Sequence, residues 1–223
     1  MLDDAHLALM PSASLRDELD EIATKDARIS KLVFGRGGAP DSSAIVTLPD
    51  RKGNVTFQMV EVPVPGVAGN LYAGQLPGRA TPVAGELDAL VAFGVRHVFG
   101  LLPRIDLDDL YRVPKYVEEA QARFGDRFRL LDVIDYEVPP DDAALDDAVR
   151  AAESALVAGD KVYVHCGAGC GRAGLFIGCL LARRGEDPVS AMIRYRAIRG
   201  CGVETPSQAA YVVRYAAGLA AST

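Results

Sequence analysis

The sequence predicts a three-layer α/β domain with a mainly parallel central sheet. From residue 70 onward, short apolar runs alternate with longer stretches of helical periodicity. Because parallel strands are joined by crossover helices, this alternation indicates βαβ units with helices on both faces of the sheet. The predicted strands are 71–73, 97–100, 128–133 and 161–165, and the predicted helices are 86–93, 117–124, 142–157, 173–184, 188–198 and 206–219.

The first 65 residues follow a different pattern. Leucine and isoleucine recur at helical spacing over residues 12–33, which predicts an amphipathic helix. Two strand-like runs, 44–48 and 55–62, flank a turn sequence at 49–54 and predict a β-hairpin. We therefore expect residues 1–65 to form a helix-and-hairpin extension packed on the main domain, residues 66–223.

Composition and charge exclude several classes of protein. Apolar residues make up 49% of the 223, too many for a disordered or low-complexity chain. The 30 acidic and 24 basic residues leave a net charge of -6, the wrong sign for holding nucleic acid or an anionic membrane through the overall field. The apolar run 173–182 is too short to span a bilayer, and the early acidic residues are untypical of a secretory signal. We expect a cytoplasmic protein that binds neither nucleic acid nor membranes.

The four cysteines all lie in the last third of the chain. They are Cys166, Cys170, Cys179 and Cys201, and no two of them form a Cys-x-x-Cys pair. The spacing therefore favours neither a disulfide framework nor a zinc site, and a reducing compartment fits better. We expect no metal and no other cofactor.

A glycine-rich loop lies between the predicted strand 161–165 and the helix that follows it. Residues 169–174 match the pattern G-x-G-x-x-G of dinucleotide sites. That fold also needs a second strand ending in an acidic residue, whereas Glu186 and Asp187 precede another helix. No Gly-Lys-Ser or Gly-Lys-Thr of nucleoside triphosphate sites ends the loop. A dinucleotide site is therefore a distant alternative.

The same loop suits a tetrahedral anion better. Only small residues separate Cys166 from Arg172, so that the backbone N–H groups can converge on one anion, and the next helix adds the positive end of its dipole. Arg172 can bind two oxygens of that anion through its planar fork. The same field favours the thiolate of Cys166 and is expected to lower its pKa from the free value of about 8.5.

The run HCGAGCGR, residues 165–172, resembles the signature loop of the cysteine-based tyrosine and dual-specificity phosphatases. The resemblance continues in residues 71–78, 111–114 and 199–202 with Gln208, which are similar to kinase-associated phosphatases. It implies the fold of the cysteine phosphatases and hydrolysis of phosphomonoesters through a cysteinyl-phosphate intermediate, without a metal. The expected substrate is a phosphorylated protein or a small phosphoester, with phosphotyrosine first.

The resemblance assigns roles to the loop residues. Cys166 is the expected nucleophile, Arg172 the expected phosphate ligand, and His165 a support at the end of the strand. The expected backbone donors to phosphate are those of Gly167, Ala168, Gly169, Cys170 and Gly171.

A general acid is expected on a separate loop, because the leaving oxygen needs a proton. Asp135 follows a predicted strand and precedes Pro139 by four residues, a spacing similar to that of the family's mobile acid loop. Asp132 is the second choice. The alternative is that these acidic residues, with Glu137, Asp141 and Asp142, are solvated or cap the next helix.

Gln208 resembles the glutamine that orients the hydrolytic water in this family. The sequence Thr205-Pro206-Ser207-Gln208 equally fits a helix capping box with proline at the first helical position. Both interpretations stay open at this point.

Two residues depart from the resemblance or add to it. The family has serine or threonine after the arginine, where Ala173 stands here, so that breakdown of the phosphocysteine should be slow while its formation is intact. A weakly active phosphate-recognising module, or pseudophosphatase, is therefore the alternative, besides a phosphatase for a non-protein phosphoester. Residues 167–171 carry no lysine, which disfavours phosphoinositides.

Oxidation could join Cys166 to Cys170, unless Cys170 is simply a small residue that fills the loop.

Overall fold

A six-stranded sheet forms the centre of the computed structural model, which describes residues 4–34, 38–49, 53 and 55–221. Its strands are β1 (Ile45–Pro49), β2 (Val55–Val62), β3 (Asn70–Gly74), β4 (Val95–Leu101), β5 (Phe128–Leu131) and β6 (Lys161–His165). They lie in the order β1-β2-β3-β6-β4-β5. The four strands β3, β6, β4 and β5 are parallel, and β1 and β2 join the edge as an antiparallel hairpin. The predicted α/β class with a mainly parallel sheet is confirmed.

Helices cover both faces of the sheet. In chain order they are α1 (Asp4–Ala8), α2 (Ala13–Lys25), α3 (Ala27–Phe34), α4 (Val83–Phe93), α5 (Asp106–Asp109), α6 (Tyr116–Phe124), α7 (Asp142–Val157), α8 (Gly171–Arg183), α9 (Pro188–Arg199) and α10 (Pro206–Ala221), with a 3-10 turn at Gly125–Arg127. The first face packs against α4, α5 and α6, and the second against α7, α8 and α10 with α9. Each face of the sheet has its own hydrophobic core, and successive side chains of β6 point to opposite faces. Val162 and Val164 therefore enter one core and Tyr163 the other.

The N-terminal segment packs on the second face. The helix predicted over residues 12–33 is in fact two helices, α2 and α3, separated at Asp26. Asp26 leaves the helical conformation, and its carboxylate accepts the backbone N–H of Arg28 at 3.0 Å, which starts the second helix. Leu19, Ile29 and Leu32 from these helices are buried in the core shared with α9 and α10.

The predicted hairpin is present and extends the main sheet, because β2 pairs with β3. Most of its predicted turn, 49–54, lies outside the described residues. The short helices α1 and α5 were not predicted. In the part of the chain that the structure describes, no helix has both the length and the apolar character needed to cross a bilayer.

Candidate active site

The candidate site lies at the carboxyl end of β6, the strand at the middle of the parallel part of the sheet. β6 is flanked by β3 and β4 and is apolar, as a strand covered on both faces must be. The chain leaves the sheet after His165, forms a loop over residues 166–170, and enters α8 at Gly171. This arrangement places Cys166 at the edge of the sheet where α/β proteins bind ligands.

Three consecutive carbonyl oxygens of this loop accept hydrogen bonds from residues outside it. The bonds run from Arg79 Nη1 to Gly167 (2.9 Å), from Arg199 Nη2 to Ala168 (2.9 Å) and from Tyr195 Oη to Gly169 (2.6 Å). Because the C=O and N–H of a trans peptide point in opposite directions, the N–H groups that follow turn to the inner side of the loop. One of them, the N–H of Gly169, donates to Sγ of Cys166 at 3.3 Å.

Two of the predicted loop glycines are required by close contacts. Gly169 has a φ of 77°, and a Cβ there would lie 2.3 Å from the carbonyl oxygen of Gly74. A Cβ on Gly167 would lie 2.8 Å from the ring of Tyr111. The loop therefore packs against β3 on one side and beneath a tyrosine on the other.

Arg172 reaches back from the first turn of α8 to this loop region. Its side chain is only 1% exposed. Nη1 donates to the carbonyl oxygen of Val133 (3.0 Å), and Nη2 lies 2.9 Å from Oη of Tyr111 and 2.7 Å from Oδ1 of Asp135. Nε is buried and has no hydrogen-bond partner among the described residues. A buried donor without a partner is costly, and an anion bound beside Cys166 would satisfy it.

Asp135, the acid expected from the sequence, lies next to Arg172 in the structure. The neighbouring acidic residues have structural partners instead. Asp132 accepts the backbone N–H of Arg104 (2.8 Å), Asp141 caps α7 through the N–H groups of residues 143 and 144, and Asp142 pairs with Arg214 (2.7 Å). The geometry thus favours Asp135 over Asp132 as the acid.

His165 supports the loop from inside the protein. It is fully buried, its ring stacks on Tyr163, and Nε2 shares a hydrogen bond with Oη of Tyr116. Space for the ring comes from Gly100 on the adjacent strand, where a Cβ would lie 3.0 Å from it. Burial lowers the pKa of His165 to about 3, so that the imidazole is neutral at physiological pH.

Gln208 is buried behind the loop, and both ends of its amide are engaged. Oε1 accepts the backbone N–H of Glu204 (2.8 Å), and Nε2 donates to the carbonyl oxygen of Glu137 (3.2 Å). Its own N–H is capped by Oγ1 of Thr205 at 3.2 Å, which is one half of a capping box. These contacts give Gln208 a positioning role in the structure, whatever its part in hydrolysis.

Glu204 is a site residue that the sequence interpretation missed. Its Oε2 accepts the N–H of Gly171, the last glycine of the signature loop, at 3.0 Å. Burial, followed by the nearby charge of Asp135, raises the pKa of Glu204. The residue belongs to no pattern in the sequence, because only the packing of the α9–α10 connection against the loop brings it there.

Tyr111 is a second residue with no predicted role, although it lies in the stretch 111–114 that carries the resemblance. Its hydroxyl binds Arg172 and its ring covers Gly167. The next residue, Arg112, has a φ of 58°, which is unusual for a residue with a side chain. This turn directs Tyr111 into the site.

The structure corrects the prediction for the cysteines. Cys170 forms a disulfide with Cys201, whereas the sequence favoured no disulfide framework, preferred a space-filling role for Cys170, and offered a bridge to Cys166 only as the alternative under oxidation. The two partners are 31 residues apart, and their Cα atoms lie 5.3 Å from each other because the α9–α10 connection packs on the loop. Cys166 and Cys179 are free and buried. No group of three or more histidine, cysteine or acidic residues in the described ranges is arranged to hold a metal ion.

Comparison with known families identifies the family to which the domain belongs. The family model described as PTP-SAK, Swiss Army Knife protein, DSP-PTPase phosphatase domain, matches residues 68–214. The chain belongs to this phosphatase family. Its match begins just before β3 and ends within α10, so it includes the signature loop, Asp135 and Glu204.

Several solved structures resemble the domain. Kinase associated phosphatase, with its catalytic-site cysteine replaced by serine, is 25% identical with a TM-score of 0.63, covering 70% of this chain and 90% of its own. PTPMT1 in complex with PI(5)P is 24% identical with a TM-score of 0.55, covering 68% and 93%. The human tyrosine phosphatase-like serine/threonine/tyrosine-interacting protein is 21% identical with a TM-score of 0.53, covering 73% and 95%. The last two likenesses concern the fold alone.

Proposed function

We propose that this phosphatase domain hydrolyses phosphomonoesters, with phosphotyrosine or dual-specificity protein substrates first, through a cysteinyl-phosphate intermediate. The observation that carries the proposal is the buried guanidinium of Arg172 beside a loop in which the N–H of Gly169 donates to Sγ of Cys166. Such an array of fixed donors stabilises the charge that a phosphoryl group carries during transfer.

In the first step, Sγ of Cys166 attacks phosphorus and the bond from phosphorus to the leaving oxygen breaks. Asp135 donates a proton to that oxygen, so that the product leaves as a neutral alcohol or phenol. Asp135 lies on Arg172 in the free protein. A bound phosphate would take over the guanidinium and leave the Asp135 carboxyl group free to reach the leaving oxygen.

In the second step, water attacks phosphorus and the bond from sulfur to phosphorus breaks. Asp135, now a carboxylate, takes the proton from this water. We propose that Glu204, which accepts the N–H of Gly171, orients the water, and that Gln208 acts by holding the Glu204 backbone. The sulfur leaves as a thiolate without a neighbouring hydroxyl, because residue 173 is alanine. This step should therefore be the slower one.

A second candidate function is a phosphate-recognising module with little turnover, and Ala173 is the residue that favours it. Under this alternative the loop, Arg172 and Cys166 still hold the anion. Only the second step is lost. A phosphatase for a non-protein phosphoester uses the same machinery and differs in the substrate that it accepts. A cytoplasmic location remains our prediction.

The test is turnover of para-nitrophenyl phosphate by the full chain and by Cys166→Ser. We expect the substitution to lower kcat at least about a thousandfold, since it removes the nucleophile. Cys179→Ser is the matched control, because Cys179 is also a buried free cysteine of this region and lies in α8 away from the loop. Equal rates in the wild type and in Cys166→Ser would refute hydrolysis by this site. Phosphotyrosyl peptides and phospholipids compared as substrates then separate the substrate classes.

A further inference from the structure

The disulfide between Cys170 and Cys201 joins the two segments that build the candidate site. Cys170 is the last residue of the loop before α8, and Cys201 follows Gly200, which ends α9. Residues on both sides of the disulfide are functional in the mechanism above. Gly171 follows Cys170, and its N–H binds the carboxylate of Glu204, which stands three residues beyond Cys201.

The rest of the same α9 segment also holds the loop. Tyr195 and Arg199 donate to the carbonyl oxygens of Gly169 and Ala168, and these bonds orient the inward N–H groups. Helix α9 and the residues after it therefore fix the loop by two side-chain hydrogen bonds, one disulfide and the bond from Gly171 to Glu204. The disulfide is the covalent member of this set.

Cys170 is held through its side chain by the disulfide and through its carbonyl oxygen by the N–H of Gly174 at 2.7 Å. It stands between Gly169 and Gly171, and glycine leaves the backbone free to take many conformations. The Cys170 side chain does not cap the N-terminus of α8. Once the disulfide is opened, the N–H of Cys170 and the start of α8 are less tightly held, and so is the connection that carries Glu204.

We propose that Cys201, through its disulfide with Cys170, is a positioning residue for the phosphate site, so that the site binds anions best in the oxidised chain. The proposal rests on the phosphate site of the proposed function. It makes the disulfide a redox control that does not consume the nucleophile. In a reducing compartment the loop would be loosened, and oxidation would restore it.

The accessibility of the cysteines fits this chemistry. Cys170 and Cys201 are half-buried, whereas Cys166 and Cys179 are buried. A dithiol reductant attacks one sulfur of the disulfide and forms a mixed disulfide, and its second thiol then displaces the protein sulfur. Two electrons and two protons are transferred. The products are two cysteine thiols and the cyclic disulfide of the reductant.

The test compares the oxidised full chain with the same chain after treatment with a dithiol and removal of the reagent without air. Alkylation in denaturant followed by mass measurement reports two reactive cysteines in the first sample and four in the second. The readouts are kcat and KM for para-nitrophenyl phosphate and the dissociation constant of tungstate, a tetrahedral anion, measured by calorimetry. We expect reduction to weaken tungstate binding and kcat/KM about tenfold, less than the hundredfold that a misplacement of 1 Å can cost. Mild reoxidation should restore both.

Two variants sharpen the test. Cys201→Ser should behave like the reduced wild type and should no longer respond to the dithiol, whereas Cys179→Ser should respond as the wild type does. If Cys201→Ser fails to fold, the reduced wild type still provides the comparison. A chain in which the disulfide is shown to be open, yet tungstate binding is unchanged within twofold, would overturn the proposal. If opening the disulfide lowered the melting temperature but left tungstate binding unchanged, the proposal would also be overturned. The disulfide would then stabilise the fold without positioning the phosphate site.

The tungstate measurement also separates this inference from the proposed function, because direct calorimetric binding needs no turnover. If neither redox state hydrolyses the substrate but tungstate binding still depends on the disulfide, the hydrolytic function fails and the positioning role stands. If the chain hydrolyses the substrate and neither turnover nor tungstate binding depends on the disulfide, the hydrolytic function stands and the positioning role fails.

Discussion

Arg172 and Asp135 form an ion pair of 2.7 Å between a guanidinium that is 1% exposed and a carboxylate that is 43% exposed. The expected phosphate ligand and the expected acid are thus bound to each other in the free protein. Under the proposed mechanism phosphate takes over the same guanidinium, so that binding of substrate would release the acid in one exchange. This exchange connects the anion site to proton transfer.

Replacing Asp135 by asparagine should separate the two roles. We expect Asp135→Asn to lower kcat by about a hundredfold for substrates with poor leaving groups, within the range for loss of a general acid, and much less for para-nitrophenyl phosphate. Tungstate should bind at least as tightly as in the wild type, because a competing carboxylate has been removed. The measurement is kcat over a series of aryl phosphates of increasing leaving-group pKa.

Asp132→Asn is the control for this substitution, since Asp132 binds the backbone of Arg104 rather than Arg172. It should leave the dependence on leaving-group pKa unchanged. If Asp132→Asn steepens that dependence and Asp135→Asn does not, the acid has been assigned to the wrong residue.

Ala173 should make breakdown of the phosphocysteine rate-limiting. Its side chain is fully buried in the first turn of α8, close in the chain to Arg172. We expect a pre-steady-state burst of nitrophenol in the wild type, and a smaller burst with a several-fold higher kcat in Ala173→Ser, whose hydroxyl would stabilise the departing thiolate. Rapid-quench kinetics measures both. The absence of a burst together with no gain in kcat would contradict this interpretation.

Glu204 should make anion binding depend on pH. Its pKa is raised above the ordinary 4.5 by burial first and then by the charge of Asp135, against the opposing effects of Gly171, Arg172 and Arg196. As pH rises through this raised value the carboxyl becomes charged beside the anion site, so that tungstate binding should weaken. In Glu204→Gln this weakening should be smaller. The measurement is the inhibition constant of tungstate across pH in the wild type and in Glu204→Gln. Parallel pH profiles of the two proteins would contradict a role of Glu204 in this pH dependence.

His165 should make the protein less stable in acid. Burial lowers its pKa in the folded state to about 3 from 6.5, so that the unfolded chain binds the extra proton between these values. The contribution of neutral His165 to the free energy of unfolding is therefore fully present above pH 6.5. It is lost as pH falls towards 3, by up to about 1.4 kcal/mol per pH unit. Urea unfolding at several pH values measures this slope. A His165→Asn variant that keeps the full slope would show that another group is responsible.

The order of helices and strands follows from local patterns, and this is why much of it could be predicted. Helix α7 and strand β6 have the predicted bounds, because the first has a clear apolar face and the second is a short apolar run. The break at Asp26 was missed, since a side-chain contact with Arg28 interrupts a periodicity that runs on through it. Helix α8 begins at Gly171, before its predicted start at residue 173.

In the candidate site, too, the contacts between residues close in the sequence could be predicted, and those between distant residues could not. The spacing of Cys166 and Arg172 indicates an anion loop because the contacts are local in sequence. Tyr111, Glu204 and Cys201 reach the loop from 30 or more residues away in the chain, through packing that no local pattern records. The preference for Asp135 over Asp132 likewise depends on which of the two carboxylates meets Arg172 in space.

In the proposed mechanism Sγ of Cys166 is the nucleophile that receives the phosphoryl group from the substrate. Acid quenching of the wild type during turnover, followed by peptide mass spectrometry, tests it most directly. We predict one phosphoryl group on the peptide that contains Cys166, abundant because Ala173 slows its removal, and absent from Cys166→Ser. Turnover with no phosphoryl group on this cysteine, or with the group on another residue, would contradict it.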